Sequence, residues 1–386
     1  MRTRVGLVFG GRSGEHEISV RSAGNVVCAI DHDRFDLVPI AISETGRWLG
    51  PHASFRLLSE DAQGLLDLSS FSEAGEVGIF GDPRAHGLTL TGGDQGPLAN
   101  LRLDVVLPVL HGTFGEDGTI QGLLDLAGIP YVGCGVLASA CGMDKVVMKS
   151  LFRDAGLPMC RYVWFLRGEW ERDQAKIIKN VESTLGYPCF AKPANLGSSV
   201  GISRADDAAS LIAAIDLAAR YDRRIIVEEG LRMREIECAV LGNDDAKASL
   251  PGEYIIKDKS KAFLDYAEKY AGTGNNEFVV PAPVSAELAS KIQEMAIAAF
   301  KAIDGSGLAR VDFFLRSDTG SLLINEINTM PGLTDASGYP KMWAGSGLPF
   351  RDVLAQLIEF AQERFKDRAR NQTSLTAVAD QGPRSE

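Results

Sequence analysis

The chain has little of what marks a secreted, membrane-bound or nucleic-acid-binding protein. No apolar run approaches the roughly 18 residues that cross a bilayer. The opening MRTRVGLVFGG carries only a short apolar stretch before two glycines, without the apolar core and small-residue cleavage site of a signal peptide. Basic residues are in the minority: 40 Lys and Arg against 51 Asp and Glu give a formal net charge of −11. That balance argues against a nucleic-acid backbone or an anionic membrane as main partner, and leaves room for a local basic pocket that holds phosphates. Cysteine is sparse. Cys28, Cys134, Cys141, Cys160, Cys189 and Cys238 are scattered, form no CxxC pair and have no histidine cluster beside them. Neither a zinc site nor a disulfide framework is expected, and reduced thiols in a cytoplasmic protein fit.

What is present is a chain of 386 residues, 45% hydrophobic and 24% charged, ordinary for a globular enzyme and long enough for two or three domains. Residues 4–10 read as a buried strand ending in Gly10-Gly11, followed by a helix over 15–30 and a strand over 37–42. This βαβ unit predicts an open parallel sheet. Residues 51–100 read as connections and short strands, 103–107 as a strand, and 121–127 as part of a helix. Helices are expected over 136–141 and 144–155, the second stopped by Gly156-Leu157-Pro158. Strands at 162–165, 188–192, 200–203 and 224–228 then alternate with helices at 174–185 and 206–219. A third region has strands at 236–241, 309–315 and 322–327 and helices at 286–303 and 351–365. The fold class is therefore α/β, turning α+β in the C-terminal half. The polar end, from about residue 370 to 386, reads as a disordered tail.

Four motifs carry chemistry. In ARVDFFL and INEINTMPG, Asp312 lies on one strand, and Glu326 and Asn328 lie two apart on the next, so they share a face. If the strands are neighbours, three oxygen-bearing side chains converge, a set suited to Mg²⁺ held jointly with nucleotide phosphates. A satisfied polar patch at a sheet edge is the plainer alternative, but carboxylates are seldom buried unpaired in apolar strands. In FAKPANLGSSVGIS, Lys192 ends a strand and a Gly/Ser loop follows, whose N–H groups can wrap phosphate oxygens. This is strand–loop–strand, unlike a Walker loop. In GGRSGEHEIS the start of a helix faces a cleft, with Glu15 and Glu17 in its first turn. Simple helix capping explains those acids equally well. In LHGTFGEDGTIQG, His111 follows a buried strand, at the strand end where open α/β sheets place ligands.

In this order the motifs resemble the D-alanine–D-alanine ligases of the ATP-grasp superfamily, in the longer of two common subtypes. GVLASACGMDK at 135–145, IIVEEGLRMREIECAVLG at 225–242 and FLDYAEKY at 263–270 add to the likeness, which runs from about residue 4 to 368 and weakens over 51–100. The resemblance implies a three-domain ATP-grasp fold: an N-terminal α/β substrate domain over 1–135, a central subdomain over 136–229, and a C-terminal subdomain over 230–369 with a lid loop at 259–276. ATP would be gripped between the last two. Lys145 and Lys192 would contact its phosphates, with Ser199 in the Gly/Ser loop. Glu228, Glu229 and Leu231 would form the hinge against adenine, Glu235 would bind the ribose, and Phe190, Phe263 and Phe314 would surround the base. Asp312, Glu326 and Asn328, with Asn325 beside them, would hold two Mg²⁺ or Mn²⁺ ions around the nucleotide. Glu15 would bind the ammonium of the first D-alanine in a triad with Ser198 and Tyr270, near His111. Lys269 would reach the transferred phosphate. Arg310 and the N–H of Gly332 would stabilise the oxyanion, and Ser337 and Gly338 would meet the second D-alanine. A homodimer is implied as well.

One position departs from the pattern. Many relatives of this subtype carry a bulky apolar residue where this chain has Gly338. The missing side chain either opens the second amino-acid site to larger D-amino acids or leaves room that a neighbour fills. Two other functions compete. One is a ligase using D-lactate or D-serine as acceptor, the lactate form being disfavoured by Tyr270. The other is an inactive ATP-grasp module that only binds nucleotide, disfavoured by the retained Lys145, Lys192, Asp312, Glu326 and Asn328. A dehydrogenase is weaker still, because GGRSGE is not GxGxxG in register.

Overall fold

The computed structural model describes residues 2–69, 71, 75–79, 81–85, 87–91, 97–197, 200–256 and 276–372. The opening βαβ unit forms as expected. β1 (Thr3–Gly10) lies between β2 (Phe35–Ile42) and β6 (Val105–Val109), all parallel, with Val5 opposite both Leu37 and Val105. Their apolar runs are buried on both faces, which is what a parallel sheet requires. α1 (His16–Ala29) crosses one face. Gly10 and Gly11, at φ +87° and +101°, let the chain turn from β1 towards it, a conformation other residues resist.

Residues 51–100 hold more structure than their weak pattern suggests: α2 (Pro51–Phe55), α3 (Glu60–Gln63), and an antiparallel sheet of β3 (Glu76–Ile79), β4 (Gly87–Thr91) and β5 (Pro97–Arg102). The strand expected at 103–107 begins two residues later, and α4 (Thr119–Ala127) follows it.

Next come α5 (Val136–Met143) and α6 (Lys145–Asp154); Asp144 caps α6 by accepting from the N–H groups of Val146 and Val147 at 3.0 Å. A four-stranded antiparallel sheet then forms in the order β7 (Tyr162–Leu166), β10 (Arg224–Glu229), β8 (Cys189–Pro193), β9 (Ser203–Ala205). It is covered by α7 (Arg167–Arg172), α8 (Gln174–Thr184) and α9 (Ala208–Ala218). α7 was not expected; the Glu169 carboxylate accepts from the Leu166 N–H and starts it. The strand expected at 200–203 starts only at Ser203, after a turn at Gly201.

The last sheet runs β14 (Asn276–Val279), β13 (Gly252–Ile256), β11 (Met233–Gly242), β15 (Gly307–Arg316), β16 (Leu322–Asn328), with β12 (Lys247–Ala248) pairing β11. One face is apolar. Ile236, Cys238 and Val240, then Val311 and Phe313, then Ile324 and Ile327, are buried under α5, α6 and α10 (Ala286–Ala302). Burying each large side chain contributes about 1.5–3 kcal/mol. On the opposite face Ala239, Leu241 and Leu308 join the core of the parallel sheet, and Glu235, Glu237, Arg310 and Asp312 continue it as a polar stretch. Finally α11 (Gly338–Gly345) and α12 (Phe350–Arg368) return to the parallel sheet, where Val353, Leu354, Leu357 and Ile358 share a core with Val5, Leu7 and Leu107. Arg364 on α12 ties this junction, donating to the carbonyls of Tyr131 and Gly133 and to the Ser306 hydroxyl.

Candidate active site

Strand alternation builds one wall of the site. Cross-strand register sets Glu235 beside Phe314, and Glu237 beside Asp312, which in turn faces Glu326; Arg310 faces Asn328. These residues occupy the face opposite the apolar one. With Lys145, Lys192, Leu196, Gly197 and Glu116, all of them but Arg310 line an open cleft of about 950 Å³. The register slips between Asp312 and Phe313, so Asn325 is an extra residue in β16 and also lines the cleft. Such a bulge re-aims the side chains beside it. Arg310 forks onto Asp312, with Nε and Nη2 each 2.7 Å from a carboxylate oxygen, and its Nε is 3.4 Å from Glu237. Asn328 Nδ2 donates to Asp312 at 3.1 Å. Burial, reinforced by Glu237 and Glu326, pushes the Asp312 carboxyl up to about 6 against the pull of Arg310.

This donor set fits a hard divalent cation. Asp312, Glu326 and Asn328 offer oxygen ligands, the hard donors that such a cation takes. Among the described residues no cluster of three or more His, Cys, Asp or Glu side chains forms a closed cage. Two carboxylates and an amide instead suit an ion shared with ligand phosphates.

The opposite wall carries the lysines. Lys145, first residue of α6, donates to the Leu196 carbonyl at 2.9 Å and sits 3.6 Å from Glu326. Lys192 is 2.6 Å from Glu228. The Glu228 carboxylate is buried between Lys192 and Lys149, the latter at 2.9 Å. The Glu229 carboxylate turns to Arg161, accepting from its backbone N–H at 2.8 Å and its Nε at 2.9 Å. Leu231 lies in the connection to β11, and Phe190 lies on β8 opposite Glu228.

The N-terminal motifs close the site from a third side. Glu15 precedes α1 rather than sitting in its first turn. A Cβ at Gly112 would lie 2.7 Å from Glu15 Oε2, and one at Gly197 3.3 Å from the same oxygen. Glu15 is thus brought against the Gly/Ser loop. His111 is buried, its Nδ1 3.0 Å from the Met330 carbonyl and its Nε2 3.0 Å from Ser22 Oγ. A carbonyl only accepts, so Nδ1 carries a proton, and His111 braces the segment leading to Gly332. The Ser337 hydroxyl is 2.7 Å from that of Thr334 and accepts from the Thr334 N–H, so it is already engaged. At Gly338 the room is filled. A Cβ there would meet Glu237 Oε2 at 2.5 Å and Phe278 Cζ at 2.8 Å.

Ser198, Ser199, Phe263, Lys269 and Tyr270 lie outside the described residues, as do most of the expected lid and tail. Three residues at the site were missed in the sequence: Glu116, Glu237 and Lys149. Glu237 stands two after Glu235, and Lys149 one helical turn after Lys145. Those spacings carried the signal.

Two family models match the chain: the D-ala D-ala ligase N-terminus over residues 4–134 and the D-ala D-ala ligase C-terminus over 151–359. A D-alanine–D-alanine ligase of Heliobacterium modesticaldum is 46% identical over 97% of this chain and 98% of its own length. One from Bacillus velezensis is also 46% identical, over 94% of this chain and 98% of its own. Among solved structures, the D-alanine–D-alanine ligase from Coxiella burnetii superposes with a TM-score of 0.78 at 34% identity, covering 95% of this chain and 97% of that one. The VanG D-Ala:D-Ser ligase from Enterococcus faecalis superposes with a TM-score of 0.79 at 34% identity, covering 94% of this chain and all of that one. On sequence along nearly its whole length, and on fold, the chain belongs to the D-alanine–D-alanine ligase family.

Proposed function

We propose that the chain joins two D-alanine molecules at the expense of ATP, through a D-alanyl phosphate, to supply D-alanyl-D-alanine for cell-wall synthesis in the cytoplasm, acting as a homodimer. The observation that carries this reading is the cleft itself. Carboxylates and an amide on one sheet face oppose Lys145 and Lys192, and Glu15 closes the third side. Lys145 and Lys192 bind the ATP phosphates. Asp312, Glu326 and Asn328 would hold two Mg²⁺ or Mn²⁺ ions, which would supply charge neutralisation for the phosphoryl transfer. Glu235 and Phe314 take the ribose and adenine.

A carboxylate is a poor electrophile. The γ-phosphoryl passes to the carboxylate of the first D-alanine, whose ammonium Glu15 holds, and ADP is left. The deprotonated amine of the second D-alanine attacks the acyl carbon. The C–N bond forms, the C–O bond to phosphate breaks, and the extra proton on the nitrogen leaves with the departing inorganic phosphate. Arg310 and the Gly332 N–H stabilise the oxyanion between these events. Arg310 is suited to this because Asp312 and Glu237 fix its guanidinium in advance. The test is a screen of D-amino acids and D-lactate by phosphate release, with products identified by mass. Phosphate release with D-alanine and a D-Ala-D-Ala product is expected. ATP binding without release would sink the ligase reading, and a product with another acceptor would redefine it.

A further inference from the structure

We propose that Lys149 is a positioning residue that acts through Glu228 to leave Lys192 available to the nucleotide phosphates; this rests on the ATP site described above. Lys149 is 1% exposed, does not line the cleft, and is one of the largest fully buried side chains among the described residues. It stands one turn after Lys145 on α6, so the helix presents one lysine to the cleft and a second beneath it. Its ammonium is 2.9 Å from Glu228 Oε1, while Glu228 Oε2 is 2.6 Å from Lys192. It also donates to the Asn325 carbonyl at 3.4 Å, at the bulge beside Glu326.

Charge explains what this arrangement does. A lone Lys192–Glu228 pair is neutral, and its carboxylate holds the lysine away from any phosphate. Adding Lys149 makes the trio net +1 and divides the carboxylate between two ammonium groups. The excess charge then lies next to a cleft wall that Lys192 lines. An interior lysine is costly to desolvate, and burial alone would lower its pKa. The Glu228 carboxylate outweighs that effect and holds it above the usual lysine value, which keeps the ammonium charged at neutral pH. A salt bridge that only secured the fold would need one cation, whereas here two converge on one carboxylate.

The test measures ATP, ADP and adenosine binding by calorimetry with Mg²⁺ present, alongside KM for D-alanine and thermal unfolding. Three variants are compared: Lys149→Arg, Lys149→Met, and Lys149→Met combined with Glu228→Gln. Lys149→Met makes the trio neutral and is expected to weaken ATP and ADP binding about tenfold or more, with adenosine affinity and KM for D-alanine within about twofold. Lys149→Arg keeps the charge and most of the affinity. The double variant restores the net charge to +1 and is expected to bind ATP within about threefold of wild type, because the carboxylate that holds Lys192 is gone. Unchanged ATP affinity in Lys149→Met overturns the proposal. So does a tenfold loss in the double variant, which carries the test if Lys149→Met does not fold. A wild type that binds no ATP refutes the nucleotide site itself, a separate result.

Discussion

Replacing Gly338 by leucine tests whether the second amino-acid site is open or closed. From sequence, the missing side chain either opens the site, in which case a bulky residue should sharpen preference for D-alanine, or leaves a gap that a neighbour fills. The structure favours the second. A Cβ at 338 would lie 2.5 Å from Glu237 Oε2 and 2.8 Å from Phe278 Cζ, inside contact distance for both. Neither neighbour can retreat freely. The Phe278 ring is wedged against Gly252, where a Cβ would lie 2.4 Å from the same Cζ, and packs at a tilt against Tyr254 with centroids 4.6 Å apart. Glu237 is held near Arg310 at 3.4 Å, and Arg310 is forked onto Asp312. Overfilling a packed site costs about 1–3 kcal/mol. If that strain falls on the bonded Glu237–Arg310–Asp312 chain, it lowers kcat/KM by roughly 5- to 150-fold at about 1.4 kcal/mol per factor of ten. The assay is phosphate release at saturating ATP with varied D-alanine, beside thermal unfolding. Gly338→Ala should show a smaller loss, and Phe278→Leu added to Gly338→Leu should recover part of it. The wild type should reject D-valine and D-phenylalanine as acceptors. A Gly338→Leu enzyme with wild-type kcat/KM and stability would refute the reasoning, because Glu237 and Phe278 would then be mobile rather than a wall.

Three further outcomes are expected. Glu326→Gln should fold normally, lose most turnover and regain part of it at higher Mg²⁺ or with Mn²⁺; near-wild-type rates at low Mg²⁺ would remove Glu326 from the metal site. Arg364→Ala should destabilise the protein by about 2–4 kcal/mol in urea unfolding, since it strips hydrogen bonds from two buried carbonyls and the Ser306 hydroxyl; KM for ATP should change little, and a loss below about 0.5 kcal/mol would show the junction does not depend on it. In native protein at pH 8, a thiol reagent should label exposed Cys28 and then half-buried Cys141, while Cys134, Cys160, Cys189 and Cys238 react only on unfolding, because burial pushes their thiols up to about 11 or 12 and closes access. Rapid labelling of all six would contradict the packing.

What the sequence disclosed follows the reach of its periodicities. Alternation in ARVDFFL and INEIN placed Asp312, Glu326 and Asn328 on one face, and the register confirms their meeting. The parallel sheet was legible because its strands are continuously apolar and the intervening helix is amphipathic. The small sheet over 76–102 was only outlined as short strands, because strands of four to six residues are too brief to show a clear alternation. α11 was missed for a related reason: GYPKMWAG contains a proline and two glycines, and its place depends on Tyr339, Met342 and Trp343 filling a core built by distant segments.

The side-chain partners were less legible. Glu228 stands in VEEGL, a segment expected beside adenine, and its carboxylate turns inward because two lysines, 79 and 36 positions earlier in the chain, meet it there. At Gly338 the sequence left two outcomes open, an enlarged site or a gap that a neighbour fills; the outcome depends on Glu237 and Phe278, which come from distant strands. In both cases the partner could not be named from the sequence, because it arrives through the tertiary fold. A buried ion pair or a filled gap has no period along the chain. It has only a requirement, that charge be neutralised and volume occupied. That requirement bears on the amino-acid sequence directly. Lys149 follows Lys145 by one turn in an otherwise amphipathic helix, on the side that packs inward, and an inward lysine demands a carboxylate from elsewhere. Among acids set in apolar strand segments, Glu228, Glu237 and Asp312 were candidates, and the fold gives the first to Lys149 and Lys192 and the other two to Arg310.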